Sequence, residues 1–136
     1  MADRDLAELE QRAAQARQHA HAPYSKFHVG AAVRVDGRVF AGVNVENASY
    51  PLSVCAERNA IAAAVAAGAH ALEAVAVCTD VSPPASPCGA CRQVLAEFAA
   101  DLRQVTVIAI NPAGERRTWT LAELLPDAFT GTQLPP

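Results

Sequence analysis

The chain has 136 residues, 51% of them hydrophobic and 18% charged, which supports a buried core and excludes a disordered segment. The formal net charge is -3 and no basic run occurs, so a nucleic-acid partner is not expected. The longest apolar stretch, 60–67, is too short to span a membrane, and the acidic start Met1–Asp5 has no apolar segment behind it. A cytoplasmic protein with no membrane partner is therefore expected. In that compartment four cysteines point to metal binding or catalysis rather than to disulfides.

The first predicted element is a helix capped by Asp3 or Asp5, with Leu6, Leu9, Ala13, Ala16 and Ala20 on one face and Pro23 at its end. His19 and His21 read as a solvated helix end. Val29–Val35 is a strand, Asp36-Gly37 a two-residue hairpin turn, and Arg38–Val45 the returning strand. Asn44 and Glu46 stand two apart, so an extended backbone projects both to one side. That spacing suits a small polar ligand, or equally a solvated strand end.

A second helix starts near Ser53 and runs to Gly68. Its stretch Ile61–Ala67 is apolar all round and must be covered on every side. The sheet covers one side; another subunit is expected on the other, which argues for a homo-oligomer. Ala74–Cys78 is a short buried strand. Ser86-Pro87 reads as the N-cap and first residue of a third helix continuing through Val94, Leu95 and Phe98. Val105–Ile110 is another buried strand, Asn111–Gly114 a turn, and Arg116–Trp119 an antiparallel edge strand. Thr120-Leu121-Ala122-Glu123 is a capping box opening a last short helix before Pro126. Phe40 and Trp119 read as core.

Strands separated by helices imply parallel pairing with helices on both faces. The fold class expected is α/β: one domain, 1–136, built as a three-layer α-β-α sandwich around a mixed sheet of about five strands.

Two stretches carry the chemistry: Cys55-Ala56-Glu57-Arg58 and Pro87-Cys88-Gly89-Ala90-Cys91. Cys88 and Cys91, three apart at a helix start, can reach one ion, and Cys55 begins another helix. Three thiolates hold zinc and leave its fourth position to water; a carboxylate nearby moves that water's protons. Three thiolates overcompensate the charge of Zn²⁺, and two helix N-termini offset the excess. Arg58 is a candidate donor to the sulfurs, and Arg92 a weaker one. Cys55 and Glu57 converge on one point only if Cys55 sits at the helix edge. A structural zinc needs a fourth ligand. The spare thiol, Cys78, lies in a buried strand and reads as a core residue, so the catalytic reading stands above a zinc-stabilised binding module.

The spacing of Cys55-Ala56-Glu57 and Pro87–Cys91 is the Cys₃ variant of the zinc nucleobase deaminase signature. Together with Tyr24–Phe27, Val29–Ala32, Asn44–Tyr50 and Cys88–Gln93, it makes the chain resemble the small homotetrameric cytidine deaminases nearly end to end. The resemblance implies hydrolytic deamination of cytidine and 2'-deoxycytidine to uridine and 2'-deoxyuridine, with a cytosine nucleoside antibiotic as the alternative substrate. It implies one Zn²⁺ per subunit on Cys55, Cys88 and Cys91, and Glu57 as the proton shuttle between the attacking water, N3 of cytosine and the departing ammonia. It further implies that Asn44 and Glu46 contact the ribose hydroxyls and that Phe27 packs on the nucleoside. The Ala56 N–H would hold the base carbonyl, Phe129 would stack on the base in a neighbouring subunit, and Tyr50 would lie at a subunit contact.

Overall fold

The computed structural model describes all 136 residues. Five strands form one mixed sheet: β1 Gly30–Val35, β2 Arg38–Val43, β3 Leu72–Cys78, β4 Thr106–Ile110 and β5 Arg116–Thr120. Their order across the sheet is β2-β1-β3-β4-β5. The helices are α1 Asp3–Arg17, α2 Ala56–Ala66, α3 Gly89–Glu97 and α4 Leu121–Leu124. This is the expected α-β-α sandwich.

Strand alternation divides the core in two. Ala31, Val33, Val35, Val75, Val77 and Val107 face α2, α3 and α4, where Ala60, Ile61, Ala64, Leu95 and Leu121 meet them. Ala32, Ala74, Ala76 and Cys78 face the other way and pack on Leu9 and Ala13 of α1. Period-two alternation along one strand thus supplies both layers.

Only β3 and β4 pair in parallel; β1 pairs antiparallel with both β2 and β3. The parallel pairing expected of helix-separated strands therefore needs correcting for β1 and β3. The strands that α2 connects, β2 and β3, do run the same way, but the hairpin puts β1 between them. The turn is as expected: Asp36 and Gly37 both have positive φ, 52° and 73°, the two-residue geometry whose twist matches the strands.

Several helix limits differ from the local signals. The first helix begins at Asp3 after Ala2, so Asp3 and Asp5 lie in the first turn, where they complement its dipole rather than cap it. It stops at Arg17, well before Pro23. From there the chain turns back to the sheet margin, where His21 N–H donates to Asn44 O and Glu46 N–H to His21 O. His21 is thus exposed but bridged to Val45 and is not a helix end.

Regular pairing of β2 ends at Val43, and Val45 instead pairs with Val54. This holds Val54 extended, so α2 starts at Ala56 rather than at Ser53. Its end is set by Gly68 at φ +83°, the left-handed conformation that follows many helices. Similarly α3 begins at Gly89 with Cys88 as its cap residue, so Ser86-Pro87 precedes the helix and does not open it. Thr120 and Glu123 do form the capping box of α4. Phe40 and Trp119 pack against the core with part of each ring exposed. Arg38 covers one ring at 5.0 Å and Arg117 the other at 4.6 Å.

Gly42 fixes how closely α2 approaches the sheet. A Cβ there would fall 2.4 Å from Ala60 N and 2.5 Å from Ala56 O. Both are backbone atoms of the helix that carries Glu57, so neither can swing aside. Gly42→Ala is expected to lower stability by about 1–3 kcal/mol, the usual cost of overpacking, seen as a lower melting temperature. An unchanged melting temperature would show that α2 can shift off β2 without cost.

Candidate active site

Both cysteine motifs sit where a helix begins. Cys55 is the cap residue of α2 in extended conformation, φ -71° and ψ 154°, and Cys88 is the cap residue of α3, φ -65° and ψ 167°. Neither cap residue uses its side chain on its own helix. The first N–H groups of a helix have no intrahelical acceptor, so both helices turn donors and positive dipole ends toward one region. There the sulfurs of Cys55, Cys88 and Cys91 lie within 4.8 Å of one another, Cys55 and Cys88 at 4.0 Å. The edge position expected for Cys55 is found, and Cys55 and Glu57 converge because the backbone bends between them.

The thiols already behave as a shared site. The Cys55 pKa is lowered to about 6, chiefly because Cys91 hydrogen-bonds to its sulfur; Cys88 and the charge of Arg58 act in the same sense against the cost of burial. Cys91 is held well above the usual thiol range by that same hydrogen bond and by burial. Negative charge is thus favoured on the Cys55 sulfur while Cys91 keeps its proton. A divalent cation fits this donor set, replacing the shared protons with one positive centre. No imidazole, carboxylate or fourth thiol lies within the same 4.8 Å grouping. Cys78 is on the opposite face of the sheet, packed under α1.

Glu57 is the buried carboxyl of the site, 5% exposed. Burial raises its pKa to about 7 and the Cys55 charge adds to this, while its own N–H and the Cys91 thiol pull it down. These neighbours place the carboxyl beside the sulfurs. A group in this range both accepts and gives up a proton near neutral pH.

The cavity next to the sulfurs has a volume of about 160 Å³. Phe27, Asn44, Cys55, Ala56, Glu57 and Cys88 line it, six residues that the sequence had singled out. Asn44 also braces the wall: its Oδ1 accepts from Val29 N–H at 2.9 Å and its Nδ2 donates to Phe27 O at 2.7 Å.

The remaining sequence candidates lie elsewhere. Glu46 lines a neighbouring pocket of about 350 Å³ with Tyr24, Ser25, Tyr50 and Ser53. Its carboxylate accepts from the N–H groups of Tyr24 and Ser25 and from the Ser25 hydroxyl, which holds its pKa below the usual range. Asn44 and Glu46 thus line two neighbouring pockets in the single chain, on either side of Val45, which is bridged to both His21 and Val54. Phe129 is 59% exposed on the tail, and Tyr50, at 69%, meets Tyr24 edge-on. Arg58 bears on Cys55 through its charge and lines the groove between α2 and α3.

Three features escaped the sequence reading. Arg92 is a clamp rather than a sulfur donor: it donates to Pro87 O at 2.7 Å, Ser86 Oγ at 2.7 Å and Leu124 O at 2.8 Å. It thereby ties the approach to Cys88 onto α4. Ser86 and Thr79 also line the cavity. Ser86 was discernible only as a helix cap, and Thr79 carries no local signal.

Comparison with known proteins agrees with this geometry. Residues 3–111 match the family described as "Cytidine and deoxycytidylate deaminase zinc-binding region". The chain is 44% identical over 131 residues to the cytidine deaminase of Sporosarcina psychrophila, covering 96% of this chain and 95% of that one. It is 48% identical over 124 residues to the cytidine deaminase of Halalkalibacterium halodurans, covering 90% and 92%. The crystal structure of cytidine deaminase from Burkholderia pseudomallei superposes with a TM-score of 0.85 at 45% identity, over 95% of this chain and 100% of that one.

Metal analysis of purified variants tests the donor set. Cys91→Ala is expected to lose zinc, whereas Cys78→Ala keeps the zinc content of the unaltered chain. Loss of metal from Cys78→Ala would contradict the placement of that thiol across the sheet.

Proposed function

The chain belongs to the cytidine deaminase family of zinc-dependent hydrolases, and from that premise we propose that it hydrolyses cytidine and 2'-deoxycytidine to uridine and 2'-deoxyuridine, releasing ammonia. The observation that carries this reading is the buried Glu57 carboxyl beside three converging thiols at two helix N-termini. Cys55, Cys88 and Cys91 are the proposed zinc ligands, one ion per chain. Zinc, when bound, supplies Lewis acidity that makes the attacking water a stronger acid at neutral pH.

In the proposed mechanism Glu57 accepts a proton from that water and passes it to N3 of the base. Oxygen adds at C4. Glu57 then takes the remaining proton of the oxygen now on C4 and delivers it to the amino group; the C4 carbonyl forms as the C4–N bond breaks, and ammonia leaves with that electron pair. A carboxyl whose pKa lies near neutrality suits this alternation, since neither transfer is strongly uphill. The Ala56 N–H, first in α2 and free of an intrahelical acceptor, is the proposed donor to the base carbonyl. Phe27 packs on the nucleoside. Asn44 in the cavity and Glu46 in the neighbouring pocket are the proposed ribose contacts. Arg58 moderates the charge of the sulfurs.

The chain is proposed to act as a cytoplasmic homotetramer in pyrimidine salvage, with 1–136 as one domain. No helix is long and apolar enough to cross a membrane. The tetramer reading rests on an uncovered apolar strip. Val65 of α2 is 38% exposed beside the exposed Ala62 and Ala66, over a groove also lined by Val94 and Phe98. Phe129, projecting from the tail, is proposed to enter a neighbour's cavity and stack on its base; Tyr50 lies at a subunit contact.

Loss of ultraviolet absorbance with cytidine reads the activity. Glu57→Gln is expected to retain zinc and lose at least ~10² to 10⁴ in kcat; near-normal turnover would remove Glu57 from the mechanism. Phe129→Ala is expected to raise KM with zinc content unchanged. A KM equal to that of the unaltered chain would exclude the shared site.

A further inference from the structure

Residues 80–87 follow β3 and lie outside every helix and strand. They bring Ala85 and Ser86 to the cavity lining and deliver the chain to Cys88. Pro83, Pro84 and Pro87 have no N–H to donate. Between Thr79 N–H and Cys88 O no backbone–backbone hydrogen bond is made. The polar backbone of such a stretch is left to side chains or water, so the side chains that reach it set where this wall stands.

They act at its two ends. Near the sheet, Asn111 donates to Val81 O at 3.0 Å, Ser82 donates to Glu115 at 2.5 Å, and Arg17 pairs with Asp80 at 3.4 Å. At the far end Arg92 acts alone. Its Nη2 donates to Ser86 Oγ and its Nε to Pro87 O, both at 2.7 Å, and no other hydrogen bond reaches these two residues. Its Nη1 donates to Leu124 O at 2.8 Å, at the end of α4. Arg92 also follows Cys91 directly and gives its backbone N–H to Cys88 O. One residue therefore holds Cys88 from both sides: through the first turn of α3 and through the residues that lead into the cap. The acceptors come from two separate segments, which a planar guanidinium fork can span and an ammonium point charge cannot.

We propose that Arg92 is a positioning residue for the metal site: its three side-chain hydrogen bonds hold Ser86 and Pro87 so that the Cys88 sulfur stays within reach of the ion shared with Cys55 and Cys91. The effect is one of geometry rather than charge, because the donors are spent on a loop and a helix end and not on sulfur. The proposal rests on the zinc-ligand assignment above, which supplies the ion.

Arg92→Gln removes the fork, Arg92→Lys keeps the positive charge without it, and Ser86→Ala removes one acceptor. Each is compared with Cys88→Ala and with the unaltered chain for the zinc Kd. A second readout is the thiolate-to-metal charge-transfer absorbance per bound Co²⁺, which falls when a sulfur leaves the ion. Circular dichroism checks that each variant is folded at the temperature used. The zinc Kd is expected to rise by about tenfold in Arg92→Gln and by a similar factor in Arg92→Lys, the lower end of what outer partners of metal ligands contribute. The cobalt absorbance should fall toward that of Cys88→Ala. Ser86→Ala should raise the zinc Kd by about threefold, the usual worth of one hydrogen bond.

An unchanged zinc Kd and cobalt absorbance in Arg92→Gln would overturn the proposal whatever the melting temperature does, since a purely structural clamp moves only the latter. An unchanged zinc Kd in Arg92→Lys would overturn it as well, by showing that positive charge suffices. If Arg92→Gln does not fold, Ser86→Ala decides, and an unchanged zinc Kd there overturns the proposal. Full zinc affinity in Cys88→Ala would instead sink the ligand assignment, a different result from any of these.

Discussion

Everything at the site depends on the meeting of two helix N-termini at three sulfurs. Thiolates crowded within a few ångströms repel one another, and a carboxyl among them adds to the strain. The ends of α2 and α3 bring partial positive charge and free N–H groups to the same place. Cys55 and Cys88 can join the cluster because each is a cap residue, where the extended backbone lets a sulfur turn away from its own helix. The same bend directs Glu57 to the sulfurs, although residues two apart within a regular helix face different ways.

That meeting is held in place from outside. Val45 and Val54 pair ahead of α2, so the helix cannot begin before Cys55 has been placed. Gly42 lets the helix backbone lie almost against β2, and Gly30 does the same for α1 on the other face, where a Cβ would come 2.1 Å from Ala13 O. On the α3 side, Arg92 locks Ser86 and Pro87 to the end of α4. The metal-binding centre is thus framed by backbone pairing, two side-chain-free approaches and one half-buried clamp. None of these touches the chemistry directly.

The single chain builds a small cavity and leaves its surroundings open. Asn44 and Phe27 lie within it, Glu46 beside it, and Phe129 and Tyr50 project outward. An apolar strip on α2 remains uncovered.

The amino-acid sequence by itself determined the chemistry and the layers. The cysteine spacing and the adjacent glutamate are properties of the residue string. Hairpin, strand alternation and capping box act over a few residues and were legible for that reason. Where the first three helices start or stop was decided by pairing between distant segments: His21 with Val45, Val45 with Val54, Arg92 with Leu124. The side of the sheet on which Cys78 lies, the division of Asn44 and Glu46 between two pockets and the orphaned hydroxyl of Thr79 also came only with the tertiary structure. A residue's local pattern fixes which way it alternates, but what lies opposite depends on segments brought together by the fold.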